Sequence, residues 1–123
     1  MPYTPKNDHR NGSPIKSQWS ISVAQEEQCY LTAANRNWSS GGNYWGLHFP
    51  NNLPDILGTS PVMDLLYIAK FVSHQGNWHG YPVAHWLSPF DKPNPDVLDM
   101  WIQAGLINST KKSKIHRGKK CAL

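Results

Sequence analysis

Ten prolines and nine glycines are spread through the 123 residues of this chain, and few stretches of more than fifteen residues escape them. Proline removes a backbone donor and glycine loosens the backbone, so long regular elements are excluded and many short ones joined by turns are expected. The length suits one domain with a real core but not two. The apolar fraction, 39%, is on the low side for a globular chain. Six Trp, five Tyr and three Phe compensate, because each aromatic ring buries a large area.

Charge is unevenly placed. The chain carries a formal +4 with twelve Lys and Arg against eight Asp and Glu. Six of the basic residues fall after the last acid, Asp99, so the first 99 residues sum to −2. A basic end of this kind favours polyanionic partners. Cys29 and Cys121 fit no zinc or redox spacing, and a reduced, cytoplasmic protein is the expectation. No N-terminal apolar region of signal-peptide type and no apolar run of membrane-spanning length is present, so no membrane association is expected.

Along the chain, residues 1–19 hold Pro2, Pro5, Pro14 and Gly12 among mixed charges and read as a flexible arm ending at Trp19. Residues 20–123 read as one globular domain. Ser22 and Gln25 have capping-box spacing. Val23, Ala24, Tyr30, Leu31 and Ala34 then form a helical stripe, with Glu26, Glu27 and Gln28 largely outside it. A strand over Ile21–Val23 is the competing reading. Asn37–Asn43 is a loop by composition, and Tyr44–Phe49 a short strand weakened by Gly46.

Ser60 followed by Pro61 matches a helix start, and Asp64 would sit favourably in the first turn. Val62, Met63, Leu65, Leu66, Ile68, Ala69, Phe71 and Val72 would cover nearly every side of such a helix, so Pro61–His74 is expected to be the central one. Gln75–Tyr81 is a glycine-flanked loop that echoes Gly42–Leu47, as coincidence or similar turn chemistry. Pro82–Leu87 is a short helix or a strand, and Ser88–Pro95, with three prolines, a loop. Asn94, Pro95 and Asp96 then open a helix whose buried stripe is Val97, Leu98, Trp101, Ile102 and Ala104, stopped by Gly105.

The run Leu98-x-x-Trp101-x-x-x-Gly105-Leu106-Ile107, a basic loop, and Arg117-Gly118-Lys119-Lys120-Cys121-Ala122-Leu123 resembles the winged-helix superfamily over residues 61–122. The resemblance implies helices at Pro61–His74, about Pro82–Leu87 and Pro95–Ala104. It also implies a two-stranded wing, Gly105–Ser109 and Arg117–Leu123, around the loop Thr110–His116. The expected fold class is therefore α+β: a small helix-rich domain with a winged-helix-like C-terminal half of three helices plus a two-stranded wing. The family would place its third helix in the major groove of duplex DNA. Here that helix presents Asp96, Asp99 and Gln103 to solvent, and carboxylates aimed at phosphates would be repelled.

The basic segment is the better candidate for contact with DNA or RNA. Lys111, Lys112, Lys114, Arg117, Lys119 and Lys120 could neutralise several phosphates in a salt-dependent, sequence-blind way. The plain alternative is a solvated basic tail that aids solubility. A second candidate is a histidine cluster. His74, His79 and His85 lie within twelve residues and His48 could join them, and three imidazoles with an open fourth position suit zinc. The spacing matches no standard motif, and histidines bonded to loop carbonyls are the commoner use. A third is an aromatic surface of Trp78, Tyr81 and Trp86 which, with the acidic Asp96 and Asp99 face, could bind another protein. No nucleophile elbow, P-loop or dinucleotide fingerprint is present.

Three functions are therefore expected in decreasing order. The first is a small accessory or regulatory protein without cofactor that binds nucleic acid by backbone contacts. The second is a protein-interaction module of winged-helix shape. The third is a metal-dependent enzyme with zinc on His74, His79 and His85.

Overall fold

The computed structural model describes residues 2–123; Met1, the first residue of the expected arm, lies outside them. The described chain is mixed α+β, with three α-helices and two antiparallel sheets. Its centre is the hairpin of β6 (Ile68–His74) and β7 (Asn77–Val83), paired over seven residues from Ile68 opposite Val83 to His74 opposite Asn77. The two residues between the strands, Gln75 and Gly76, both have positive φ (51° and 81°), as a tight hairpin turn matching strand twist requires. β3 (Asn43–Leu47) pairs with β6, and β2 (Ser39–Ser40) with β3 across a second such turn, Gly41-Gly42, also at positive φ.

These two turns explain the echo between Gly42–Leu47 and Gln75–Tyr81, the latter being a two-residue turn followed by strand and not the loop expected. In each, glycine closes the turn, asparagine opens the outgoing strand, and an aromatic follows. Those aromatics, Tyr44 and Trp78, meet with ring centres 4.8 Å apart.

One face of this four-stranded sheet carries Tyr44, Phe71, Trp78 and Gly80 and is covered by α1 (Val23–Asn35). Gly46 permits the close approach, since a Cβ there would lie 3.2 Å from the Cys29 carbonyl oxygen and 3.7 Å from Ala33. The capping box is present: the Gln25 amide donates to Ser22 Oγ (3.1 Å) and the Ser22 amide to Gln25 Oε1 (2.9 Å). The expected stripe, however, is rotated. Glu26, Cys29, Tyr30 and Ala33 are buried, while Val23 and Leu31 are 41% and 48% exposed. The spacing i, i+3, i+4, i+7 was present all along, but it runs through an acid, which apolar patterning passes over.

The central helix expected over Pro61–His74 is not formed. β4 (Gly58–Thr59) and β5 (Leu65–Leu66) pair instead around a turn, followed by β6. Ser60 caps that turn and not a helix, its Oγ accepting from the Val62 and Asp64 amides at 3.3 and 3.0 Å. The apolar run is continuous because the first half of β6 is buried on both faces, and such a strand has the same pattern as a buried helix. β1 (Gln18–Trp19) joins β4 and β5 as a three-stranded ribbon.

The segment expected to be a flexible arm is tied to the domain. The Thr4 amide donates to the Trp78 carbonyl (2.8 Å) and the Trp78 amide to the Pro2 carbonyl (2.9 Å), so Tyr3 runs alongside β7. Tyr3 stacks on Tyr30 at 4.9 Å and donates its hydroxyl to Glu26.

α2 (Pro95–Gln103) forms as expected, capped by Asn94 and ended by Gly105 at φ +75°. Of the expected stripe Val97, Leu98 and Trp101 are fully buried, while Ile102 is half-buried and Ala104, past the last turn, exposed; Trp101 meets Trp38 edge-on at 6.0 Å. The segment Thr110–His116, expected as a loop between two wing strands, lies in a third helix, α3 (Ser109–His116). Asn108 caps it, accepting from the Lys111 amide at 2.9 Å. Gly118 ends it, with the Lys119 amide donating back to Lys114 O (2.8 Å) and the Gly118 amide to Ile115 O (2.9 Å). Neither Gly105–Ser109 nor Arg117–Leu123 is a strand. With β6 where the first helix was expected, β7 over most of the expected Gln75–Tyr81 loop and α3 where the wing was, the three-helix-plus-wing order implied over 61–122 is not that of the structure.

Candidate nucleic-acid interface

α3 carries one buried side chain, Ile115, which leaves the rest of its surface to three Lys, two Ser, Thr110 and His116. The six basic residues singled out from the sequence are thereby spread around one helix and its exit, and they divide by what they touch. Lys112 is paired with Asp99 at 2.5 Å, and Lys120 with Asp64 at 2.5 Å. Lys111 donates to the Leu123 carbonyl oxygen. Lys114, Arg117 and Lys119 are exposed, and no carboxylate of the described residues lies within 4 Å of them.

Tertiary structure adds neighbours that the sequence did not link to this cluster. Lys92, from the proline-rich loop after β7, donates to the His116 carbonyl at 2.8 Å. Arg117 is exposed and uses its Nε on Ser113 O (3.2 Å). His85 donates or accepts at Nε2 against Lys119 O (2.7 Å), and since a carbonyl only accepts, Nε2 carries the proton. Burial holds the His85 pKa below its ordinary value, opposed by that carbonyl bond, with Lys92 adding to the lowering. Trp86 is half-buried, with the His85 ring against it edge-on at 5.0 Å and Lys120 Nζ 5.5 Å from its ring centre.

Trp86, Ser88, Lys92 and Arg117, with His85 and Gly118, line one groove of about 260 Å³. An indole, a guanidinium and an ammonium lining one open groove can contact a phosphate and an adjoining planar base together. Lys92 was missed from the sequence because nothing local connects a loop lysine with a helix end twenty-four residues later.

The other expected sites are not assembled. His74 is exposed at the end of β6, and His79, on β7, bonds the Thr4 carbonyl through Nδ1 at 2.9 Å. His85 is buried beyond the end of that strand and engaged with Lys119. His48 lines a separate cavity beside Cys29. No group of three or more potential metal ligands is gathered among the described residues. The three aromatics also separate. Trp78 is buried against α1, Tyr81 points to the opposite face of the sheet, and only Trp86 borders the basic groove. Asp96 is exposed on α2, while Asp99 is taken by Lys112.

No helix of the described residues is long and apolar enough to cross a membrane. Comparison with family models, curated proteins and solved structures finds no match for this chain.

Proposed function

We propose that this is an accessory or regulatory nucleic-acid-binding protein that holds the sugar-phosphate backbone of an unpaired strand at the end of α3. The observation that carries this reading is the convergence of Arg117, Lys92 and Trp86 on one groove, flanked by Lys114 and Lys119 without carboxylate partners. Unpaired strands suit an aromatic beside cations, because a base can leave its stack for the indole while its phosphate meets the guanidinium. Base readout is not part of the proposal, since α2 presents Asp96 and Asp99 and carries no Arg or Lys. Lys111, Lys112 and Lys120 serve the fold through their bonds, and contribute field more than contact.

Fluorescence anisotropy of labelled single-stranded DNA, RNA and duplex DNA against salt tests this. About three phosphate contacts predict a log–log salt slope near −2 for a single strand. Arg117→Ala with Lys119→Glu is expected to abolish binding at moderate salt, and Trp86→Ala to weaken single-strand binding about tenfold or more. Lys112→Gln is expected to change it little. Absence of retardation at low salt, or equal affinity of the Arg117/Lys119 variant, overturns the proposal.

A protein-binding role is the second reading, favoured by the turn between β4 and β5. There Val62 and Met63 are 75% and 74% exposed, and Met63 sits at φ +67°. A β-turn that displays two large apolar side chains on a strained backbone is a surface feature that folding alone does not require. Partner capture that survives high salt and is lost in Val62→Ser with Met63→Gly would favour it over nucleic-acid binding.

A further inference from the structure

On the other side of Leu87 from the basic groove lies a second cavity, of about 290 Å³. It is walled by the N-terminal segment (His9, Ile15, Ser17), the end of β7 (Tyr81) and the loop after it (Leu87, Asp91). Its volume is at the small end of ligand pockets.

Three features of this wall are not explained by the fold. First, Asp91 is half-buried, yet none of the four ion pairs of the described residues uses it. Lys70, the cation that acts on its charge, spends its Nζ on the Phe90 carbonyl (2.6 Å) and lies 5.3 Å from the Trp45 ring centre. Second, the His9 ring is stacked on Tyr81, with centres 5.1 Å apart and planes 15° apart. The Ser17 carbonyl, 2.8 Å from His9 Nδ1, can only accept, so Nδ1 carries the proton and Nε2 of the neutral ring is an acceptor. Third, Ile15 and Leu87 stand at the mouth 79% and 65% exposed. Lys16 also borders the cavity, with Asp8 3.8 Å away as a partial counter-charge.

The wall is thus rich in acceptors, with a carboxylate short of donors, a flat aromatic stack and an aliphatic rim. An anion would find one lysine, already facing Asp8, and would meet Asp91. A donor-rich planar cation meets a complementary surface: its N–H groups reach Asp91, its plane lies along the Tyr81–His9 stack, and its carbon body covers Ile15 and Leu87.

We infer that this cavity is a binding site for an amidinium or guanidinium group carried on an apolar body, with Asp91 as counter-ion and Tyr81 and His9 as the aromatic wall. The group can belong to a small molecule or to an arginine side chain of a peptide. The site is separate from the nucleic-acid proposal and stands or falls without it.

Calorimetric titration of the intact protein with benzamidine, with neutral benzamide, with benzoate, and with N-acetyl-arginine amide as the peptide surrogate tests the inference. Benzamidine is expected to bind at millimolar concentration or below, and benzamide and benzoate roughly tenfold more weakly or not at all, as loss of a charge-assisted pair predicts. Tighter binding of the arginine amide assigns the peptide source, and tighter benzamidine binding the small-molecule source. Asp91→Asn is expected to remove the preference for benzamidine over benzamide, and Lys119→Glu to leave it unchanged. Should Asp91→Asn fold poorly, amide chemical-shift changes on adding benzamidine to the wild-type protein decide the matter. Shifts confined to residues around His9, Tyr81 and Asp91 support the site. Shifts elsewhere, no binding of any probe, or equal binding of benzamidine and benzamide overturn it.

Discussion

Arg10 reaches from the N-terminal segment to the carboxylate of Glu26, which has no exposed side-chain surface, and holds Oε1 with Nη2 at 2.7 Å and Nε at 3.0 Å. The same guanidinium donates to the Ile21 carbonyl at 2.9 Å, and Tyr3 donates its hydroxyl to the other carboxylate oxygen. Burial first, and then the bond to Glu26, raise the Tyr3 phenol far above its ordinary range, which keeps it a hydrogen-bond donor to the carboxylate. The pair ties the N-terminal segment to α1, beside the backbone bonds that Pro2 and Thr4 share with Trp78.

Breaking such a pair from one side leaves a buried charge unpaired. Arg10→Ala is expected to cost about 3–5 kcal/mol, and Tyr3→Phe about 1–3 kcal/mol. Arg10→Met with Glu26→Leu should cost less than Arg10→Ala alone, since an apolar replacement of a whole buried pair is often near neutral. Urea denaturation of the three variants checks the order.

Gly80 faces Phe71 across the β6–β7 pair, and a Cβ there would overlap the Phe71 ring and stand 2.8 Å from the Tyr3 hydroxyl. Gly80→Ala is therefore expected to destabilise by about 1–3 kcal/mol through overpacking. Phe71→Leu made together with it should cost less than the two changes summed. Thermal melts of the two singles and the double measure that coupling.

His85 and His9 both have folded pKa values below the unfolded 6.5, chiefly because burial disfavours their charged forms; in each, the carbonyl bond opposes the shift. A depressed folded value means that the stability of the neutral form is fully present above pH 6.5. It is lost as pH falls from there through the folded values. The melting temperature is expected to drop between pH 7.5 and 5.5. His85→Gln, which keeps a donor for the Lys119 carbonyl and cannot titrate, should flatten that drop.

Cys29 lies on the buried face of α1, and burial together with Glu26 pushes its thiol up to about 12. Cys121 is half-exposed; burial raises its pKa, and Lys114 and Lys111 pull it back. A disulfide-exchange reagent at pH 8 is expected to modify Cys121 in the native protein and Cys29 only after unfolding, because the thiolate is the reacting form. Two equally fast thiols would contradict the placement of Cys29.

The features legible in the residues alone are local. Ser22 and Gln25 fix the start of α1, and Asn94, Pro95 and Gly105 bracket α2, because cap and stop chemistry acts over four or five residues and needs no distant partner. The same chemistry, Asn108 and Gly118, brackets α3, but a helix with only Ile115 buried shows no apolar stripe to be read.

Tertiary structure decided everything that depends on which surfaces meet. Ile68–His74, the second half of the expected helix, is strand because a partner, β7, lies on one edge, β3 on the other, and cover exists on both faces of its first half; none of these is local. Glu26 turned inward because Arg10, sixteen residues earlier, supplies its counter-charge. The candidate sites follow the same rule. A basic C-terminal end was legible, but charge in sequence does not say which lysines are already spent. Asp64 and Asp99 claim Lys120 and Lys112, and only folding sets Lys92 and Trp86 beside Arg117.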